Sequence, residues 1–300
     1  MPPPDFPKTH SEFQNQFPTE EAQLGFLFRS RWPDGFVCPR CGSRAYYWKS
    51  ERKLLQCKDC GYQASVTAGT IMHRSKVPLS LWFQAAYVLT THSRGLSALQ
   101  FQKQIGLSSY QTAFSMLHKL RGSMAMPGKT KLSGIIEVDE TCIGRQRHGK
   151  RRGKANGAST GTLVIGAVDL NGKYTNRIRL KAIPNAGKAE LLAFLKDNVE
   201  PGSTIQTNES MGYAGFEIDG FKHITTARLS HIRRVFNNLN TWLLGTHHRV
   251  SEKHLQAYLN EFAFRFNRRK APMAVFQTLL GLGKILWQPQ SDPHDINFGR

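Results

Sequence analysis

The sequence has no apolar run near the roughly 20 residues a helix needs to cross a bilayer, which argues against a membrane-spanning protein. Acids are scarce: 21 Asp and Glu stand against 41 Lys and Arg, so 300 residues carry a formal net charge of +20. A chain this basic repels itself unless it meets a polyanion. Nucleic acid is the usual one, with an anionic membrane surface or an RNA scaffold as alternatives. The start, Met1-Pro-Pro-Pro-Asp-Phe6, lacks both the basic residues and the apolar stretch of a secretory signal. A cytoplasmic, nucleoid-associated location and no membrane partner are therefore expected. Cysteine is sparse too. Four of the five lie in two Cys-x-x-Cys pairs, which in a reducing compartment read as metal ligands rather than disulfides. There is no internal repeat, and a hydrophobic content of 40% excludes general disorder.

What is present divides into five segments. Residues 1–34 are polar, with Glu20-Glu21 and an apolar patch at Leu24, Phe26, Leu27 and Phe28 that predicts a small helix. Residues 35–75 hold the cysteine pairs and read as short strands joined by turns. In residues 76–128, Leu81–Leu89 suits a buried helix, Leu96–Ile105 a short one stopped by Gly106, and Ser109–Arg121 another. Helix, turn with Gly, helix is the helix-turn-helix outline. Residues 129–282 turn to strands at Gly134–Val138, Leu163–Val168 and Tyr174–Ile183, with Asn171-Gly172 as a hairpin signal. A helix (Lys188–Asn198), strands at Thr204–Thr207 and near His223–Thr225, and helices over 230–244 and 251–268 follow. That order predicts an α+β or α/β domain with a mixed sheet, compatible with an RNase H-like core. Residues 283–300 carry no pattern.

Cys38-Pro-Arg-Cys41-Gly42 and Cys57-Lys-Asp-Cys60-Gly61 are separated by 15 residues. Two thiolates two residues apart can grip one ion from a tight turn, and the following glycine allows the positive φ that such a turn needs. Cys38, Cys41, Cys57 and Cys60 thus predict a closed tetrahedral Zn²⁺ site, structural because no position is left for water. In so short a segment the metal is expected to supply most of the folding free energy, on the order of 10 kcal/mol. Arg40, Arg44, Lys49, Arg52, Lys53 and Lys58 suit phosphate contact or simple solvation. Cys142 has no accompanying motif and is expected to be a small buried residue rather than a nucleophile.

Ile135-Ile-Glu137-Val138-Asp139-Glu140-Thr141 ends an apolar strand in acids. A strand-end Asp is either a turn or cap residue or a carboxylate fixed in a cleft, as two-metal phosphoryl transfer requires. Longer motifs bear on that choice. Arg31-Trp32-Pro-Asp-Gly-Phe36, Gln63-Ala-Ser65-Val-Thr67-Ala-Gly-Thr70 and Val138-Asp139-Glu140-Thr141-x-Ile143-Gly144 resemble ISXO-type insertion-sequence transposases, a zinc-ribbon-bearing branch of the DDE superfamily. So do Phe236-Asn-Asn238-Leu-Asn-Thr241-Trp242-Leu-Leu-Gly245-Thr246-His-His248 and His254-Leu-x-x-Tyr258-Leu-x-Glu261-Phe262-x-Phe264-Arg265-Phe266-Asn267-Arg268-Arg269. The similarity runs in order over about residues 15–282.

The resemblance implies an RNase H-like fold, cleavage of transposon ends dependent on Mg²⁺ or Mn²⁺, and transfer of the freed 3′-OH into target DNA. It also implies double-stranded DNA partners (terminal inverted repeats and target) and a homodimer or higher assembly. Its catalytic positions fall on Asp139, on Asn208 where the family has a second Asp, and on Asn238, with Asn237 as the adjacent register. Asn208 matters most: a neutral amide replaces an anion where two dications need negative charge. Impaired catalysis is expected, leaving a DNA-binding relative or regulator as the second reading; Glu209 is a possible substitute. No Lys or Arg occurs from Val235 to His248, where many DDE enzymes carry a basic residue.

Arg145, Arg147, Lys150, Arg151, Arg152 and Lys154 crowd a Gly-rich segment that predicts a basic loop lying along a DNA backbone, or a solvated one. Arg265, Arg268, Arg269 and Lys270 form a second basic cluster on the last predicted helix, which also carries Phe262, Phe264 and Phe266, so part of it must be core. The helix-turn-helix candidate would read sequence through Ser108, Ser109, Gln111 and Thr112, unless those helices are only a structural link.

Overall fold

The computed structural model describes residues 5–92, 94–125, 130–144, 161–172, 174–208, 220–247 and 250–282, in two compact units. The first contains the chain up to Thr91 and from Ala271 on; the second runs from His92 to Lys270.

In the first unit the amino-terminal segment forms two helices rather than one, α1 (His10–Gln16) and α2 (Glu20–Arg31). Pro18 separates them, and Thr9 and Thr19 cap them, each hydroxyl accepting from the backbone N–H three residues on. Strands β1 (Tyr46–Lys49), β2 (Leu54–Cys57) and β3 (Gln63–Ser65) make an antiparallel sheet in that order, with β1 at one edge. Arg31, at the end of α2, donates to the carbonyls of Ser65, Val66 and Ala68 and so ties the helix to the chain leaving the sheet. Helix α3 (Leu79–Thr91) buries Trp82, Phe83, Tyr87 and Leu89.

The second unit opens with α4 (Ala98–Ile105) and α5 (Tyr110–Met124). Ser97 and Gln100 close a capping box on α4, and Gly106 ends it at φ 74°, a conformation that excludes most side chains. Five strands follow: β4 (Ile135–Ile143), β5 (Thr162–Asn171), β6 (Tyr174–Ile183), β7 (Thr204–Thr207) and β8 (Lys222–Thr225). Their order is β6-β5-β4-β7-β8; the first three are antiparallel neighbours, and β7 and β8 join in parallel. The expected mixed-sheet RNase H-like core is present. Helix α6 (Lys188–Asn198) covers one face, packing Leu191, Phe194 and Leu195 on Ile136, Val138, Ile165 and Ala167. Helices α7 (Ser230–Trp242) and α8 (Glu252–Asn267) cover the other, over Val164, Val168, Ile178 and Leu180; a wide π-helical turn (Leu243–His247) ends α7.

Helix α9 (Pro272–Leu279) returns to the first unit, where Phe276 meets Phe13, Phe17, Phe26 and Phe83. The helices taken together as residues 76–128 are therefore divided, α3 in one unit and α4 and α5 in the other. Asp139 is not at a strand end. The apolar run stops at Val138, but pairing with β5 continues to Ile143, so Asp139 lies in mid-strand, just beyond the β7 ladder at Ile135–Glu137.

Candidate active site and metal centre

The four cysteine sulfurs lie within 4.8 Å of one another, with Cys38–Cys60 at 3.6 Å and Cys41–Cys57 at 3.5 Å. Zn–S bonds of about 2.3 Å in a tetrahedron require sulfurs about 3.8 Å apart. Each knuckle closes alike: Gly42 N–H donates to Cys38 O and Gly61 N–H to Cys57 O, with φ of 76° and 70°. The Cys60 backbone N–H lowers the Cys57 thiol, favouring the thiolate a metal needs, while at Cys41 the Ser43 backbone is outweighed by the neighbouring cysteines, which push that thiol up. The residues fit a zinc ion. Cys142 is half-buried and stands apart from this cluster.

In the second unit β4 alternates across the sheet. Ile136 and Val138 face α6, so Glu137 and Asp139 face α7. Three contacts fix α7 there. Its N-cap, Leu229, has no side chain that can accept, and Glu137 supplies the acceptor from the strand: the backbone N–H groups of His231 and Ile232 donate to Oε2 at 2.9 and 2.8 Å. A buried carboxylate there also meets the positive end of the helix dipole. Gly166, paired with Asp139 across the sheet, lets the helix down: a Cβ would stand 2.8 Å from both Ile232 Cδ1 and Phe236 Cε1. Arg233 then reaches Asp139, Nε to Oδ2 at 3.8 Å.

Asp139 is 6% exposed. Asn208, just past β7, donates Nδ2 to Asp139 Oδ1 at 3.1 Å, and the Glu140 backbone N–H donates to the same oxygen at 3.0 Å. Burial pushes the carboxyl above the ordinary aspartate value; the Glu140 N–H and the mostly exposed Arg233 offset this only in part. Thr207, which positions Asn208, is held by His223 of β8 at 2.8 Å.

Asp139 and Asn208 are thus brought together. Asn238 is exposed and, five residues from Arg233, turned about 140° from it. It shares a flank with His231, whose Nδ1 meets Thr175 on β6. Asn237 is exposed as well and, one helical turn beyond Arg233, is turned only about 40° from it. Arg233 and Glu137 were not singled out from sequence. The signal for Arg233 is its i, i+4 spacing to Asn237; Glu137 is distinguishable only by strand alternation.

Residues 131–267 match the ISXO2-like transposase domain and residues 18–63 the transposase zinc-ribbon domain, in the order and places the motifs indicated. The chain belongs to the ISXO2-like transposases. No curated protein sequence matches it. Similar solved structures include the catalytic core domain of BIV integrase (11% identity, TM-score 0.31, covering 46% of this chain and 85% of that one). Another is the Mos1 strand transfer complex (12% identity, TM-score 0.28, covering 70% and 81%). Likenesses of that size carry no argument about activity.

Of the transposase's other expected residues, Arg145, Arg147, Lys150, Arg151, Arg152 and Lys154 lie outside the described residues, as does Glu209. Arg268 and Arg269 sit over Phe264 and Phe266 at 4.8 and 4.5 Å, and Arg269 also donates to the carbonyls of Thr175 and Asn176. At the start of α5, Ser108, Ser109 and Gln111 are exposed and Thr112 half-buried. Among the described residues no helix is long and apolar enough to cross a membrane.

Proposed function

We propose that this transposase binds the ends of its own insertion sequence and carries the metal site for cutting and joining DNA, but that Asn208 leaves the site weak or inactive. The observation that carries the reading is the hydrogen bond from Asn208 Nδ2 to Asp139 Oδ1. It puts a donor against the carboxylate oxygen a divalent ion would take. With Arg233 3.8 Å from the other oxygen, the centre holds one anion already faced by a cation. Two Mg²⁺ or Mn²⁺ ions need more negative charge than that. An Asp at 208 would supply a second carboxylate on the same side of the sheet.

Asn237, rather than Asn238, takes the third position in this reading, because it follows Arg233, which reaches Asp139, by one helical turn. Arg233, one turn before Asn237 and just ahead of the stretch without Lys or Arg, supplies the cation expected near the third residue. The ribbon, holding structural zinc, and the α4–α5 pair grip double-stranded DNA at the terminal repeats. The basic segment 145–154 and Arg268 and Arg269 add phosphate contacts, and two copies pair the ends. A second reading, a DNA-binding regulator that does not cut, is favoured by the same Asn208.

Strand cleavage of DNA carrying the element's ends, with Mg²⁺, tests both. Asn208→Asp is expected to cut at least a hundredfold faster than the unmodified chain, with unchanged DNA affinity. Adding Asn237→Ala should then abolish cutting, and adding Asn238→Ala should not. Equal cleavage with Asn or Asp at 208 contradicts the assignment.

A further inference from the structure

The zinc ribbon exposes aromatic rings where a small domain would ordinarily hide them. All four residues of β1 are exposed, Tyr47 at 55% and Trp48 at 44%. β1 is an edge of its sheet among the described residues. Pairing fixes which way the rings point. Trp48 opposes the buried Leu55 and stands at the rim of the inner face, whereas Tyr47 opposes Gln56 and stands on the outer face. The two rings thus flank one edge. Two ammonium groups lie over Tyr47, Lys58 at 4.7 Å and Lys49 at 5.9 Å. Between residues 37 and 63 there are six Lys and Arg against two acids, Glu51 and Asp59, and of the six Lys53 is paired with Glu20.

We propose that the β1 edge of the ribbon binds unpaired nucleotides, with bases stacked on Tyr47 and Trp48 and phosphates beside Lys49 and Lys58. Exposed ring faces amid cations match a single strand, whose base faces are open and whose backbone is anionic. A duplex offers the phosphates but keeps its base faces stacked inside. A second copy of this chain would set its own Lys49 and Lys58 against this edge and bring no phosphate to match them. The inference rests on the first unit alone and is independent of the reading of Asp139 and Asn208.

The test uses the full chain and fluorescence anisotropy of a labelled oligo-dT, with a random duplex of equal length as comparison. Tyr47→Ala and Trp48→Ala are each expected to weaken oligo-dT binding about five- to hundredfold, the loss of one stacked base. Duplex binding and bound zinc should change less than twofold, and Tyr47→Phe should restore affinity. Lys58→Gln should flatten the salt dependence by about 0.7 in the log–log slope, which Tyr47→Ala should not. Oligo-dT substituted with 5-iodouracil should crosslink to the peptide containing Tyr47 and Trp48. Unchanged oligo-dT affinity, an equal loss for duplex, or crosslinks only elsewhere would overturn the proposal. So would alanine variants that alter self-association without altering oligo-dT affinity.

Discussion

Asp139 is a carboxylate held in a place that disfavours its charge. Its raised value, caused chiefly by burial, has a defined consequence for stability. A group that binds its proton more tightly folded than unfolded favours the fold at low pH, and the fold loses that support as pH rises through the folded value. Asp139→Asn should therefore raise the melting temperature at pH 7 without metal, and the gain should vanish below pH 4. Differential scanning calorimetry at the two pH values reads this; a destabilised variant at pH 7 would mean the carboxylate is better compensated than its neighbours indicate. Asp139 was legible as an acid interrupting an apolar strand within a longer motif, whereas Asn208, after the mostly polar Thr204–Thr207, was legible only through the family resemblance. Glu137 and Arg233 were not. Their roles depend on a contact between a strand and a helix nearly a hundred residues apart, and strand alternation at Glu137 and the i, i+4 spacing of Arg233 to Asn237 are too common to single either out.

Among the elements, α7 decides whether the site exists, and Gly166 decides where α7 can lie. A methyl group there meets Ile232 and Phe236 inside van der Waals distance. Gly166→Ala should cost about 1–3 kcal/mol, the range for overpacking a tight core, and should lower cleavage by an Asn208→Asp chain more than it lowers DNA binding. Urea unfolding and cleavage rates check the two parts separately.

A second fixed junction joins α5 to α8. Glu261, fully buried, accepts from Arg121 at 2.7 Å and Arg265 at 2.9 Å. Burial raises its carboxyl, but Arg265 and Arg121 outweigh that and hold it at about 2. A lowered value contributes stability above the ordinary 4.5 that is lost as pH falls towards 2. Glu261→Gln should cost about 3–5 kcal/mol at pH 7, as in other broken buried pairs. The difference should shrink through that acid window; a pH-independent cost in chemical denaturation would contradict the ion pairing.

Elements with local punctuation were readable: the Asn171-Gly172 hairpin, the Gly106 stop and the Lys188–Asn198 helix all stand where the sequence placed them. The α1–α2 break, the extension of β4 and helix α9 were not read. Thr9 and Thr19 are cap residues of an ordinary kind, β4 continues through polar residues because β5 pairs with it, and α9 is short with only Pro272 to mark its start.

At the scale of the molecule, each unit buries apolar residues of its own, and the four cysteines that would hold zinc belong to the first. The ribbon has three short strands and buries Phe36, Cys38, Leu55, Cys57 and Ala64, a small set. Removing zinc with a strong chelator should therefore unfold the ribbon and leave the five-stranded unit intact. Hydrogen exchange would show protection lost at residues 36–65 and kept in β4–β6. Protection lost throughout would show that the units fold as one. The excess of basic over acidic residues announced a polyanion partner, yet composition says nothing about which surfaces meet it, and the most basic segment lies outside the described residues.

In the proposed reading Asp139 and position 208 form one divalent-metal centre, short of one carboxylate in this chain. Mn²⁺ titration of the DNA-free protein by calorimetry tests it most directly. Asn208→Asp should bind Mn²⁺ at least tenfold more tightly than the unmodified chain, and adding Asp139→Asn should erase the gain. Equal affinity with Asn or Asp at 208, or a gain that survives the loss of the Asp139 carboxylate, would contradict it.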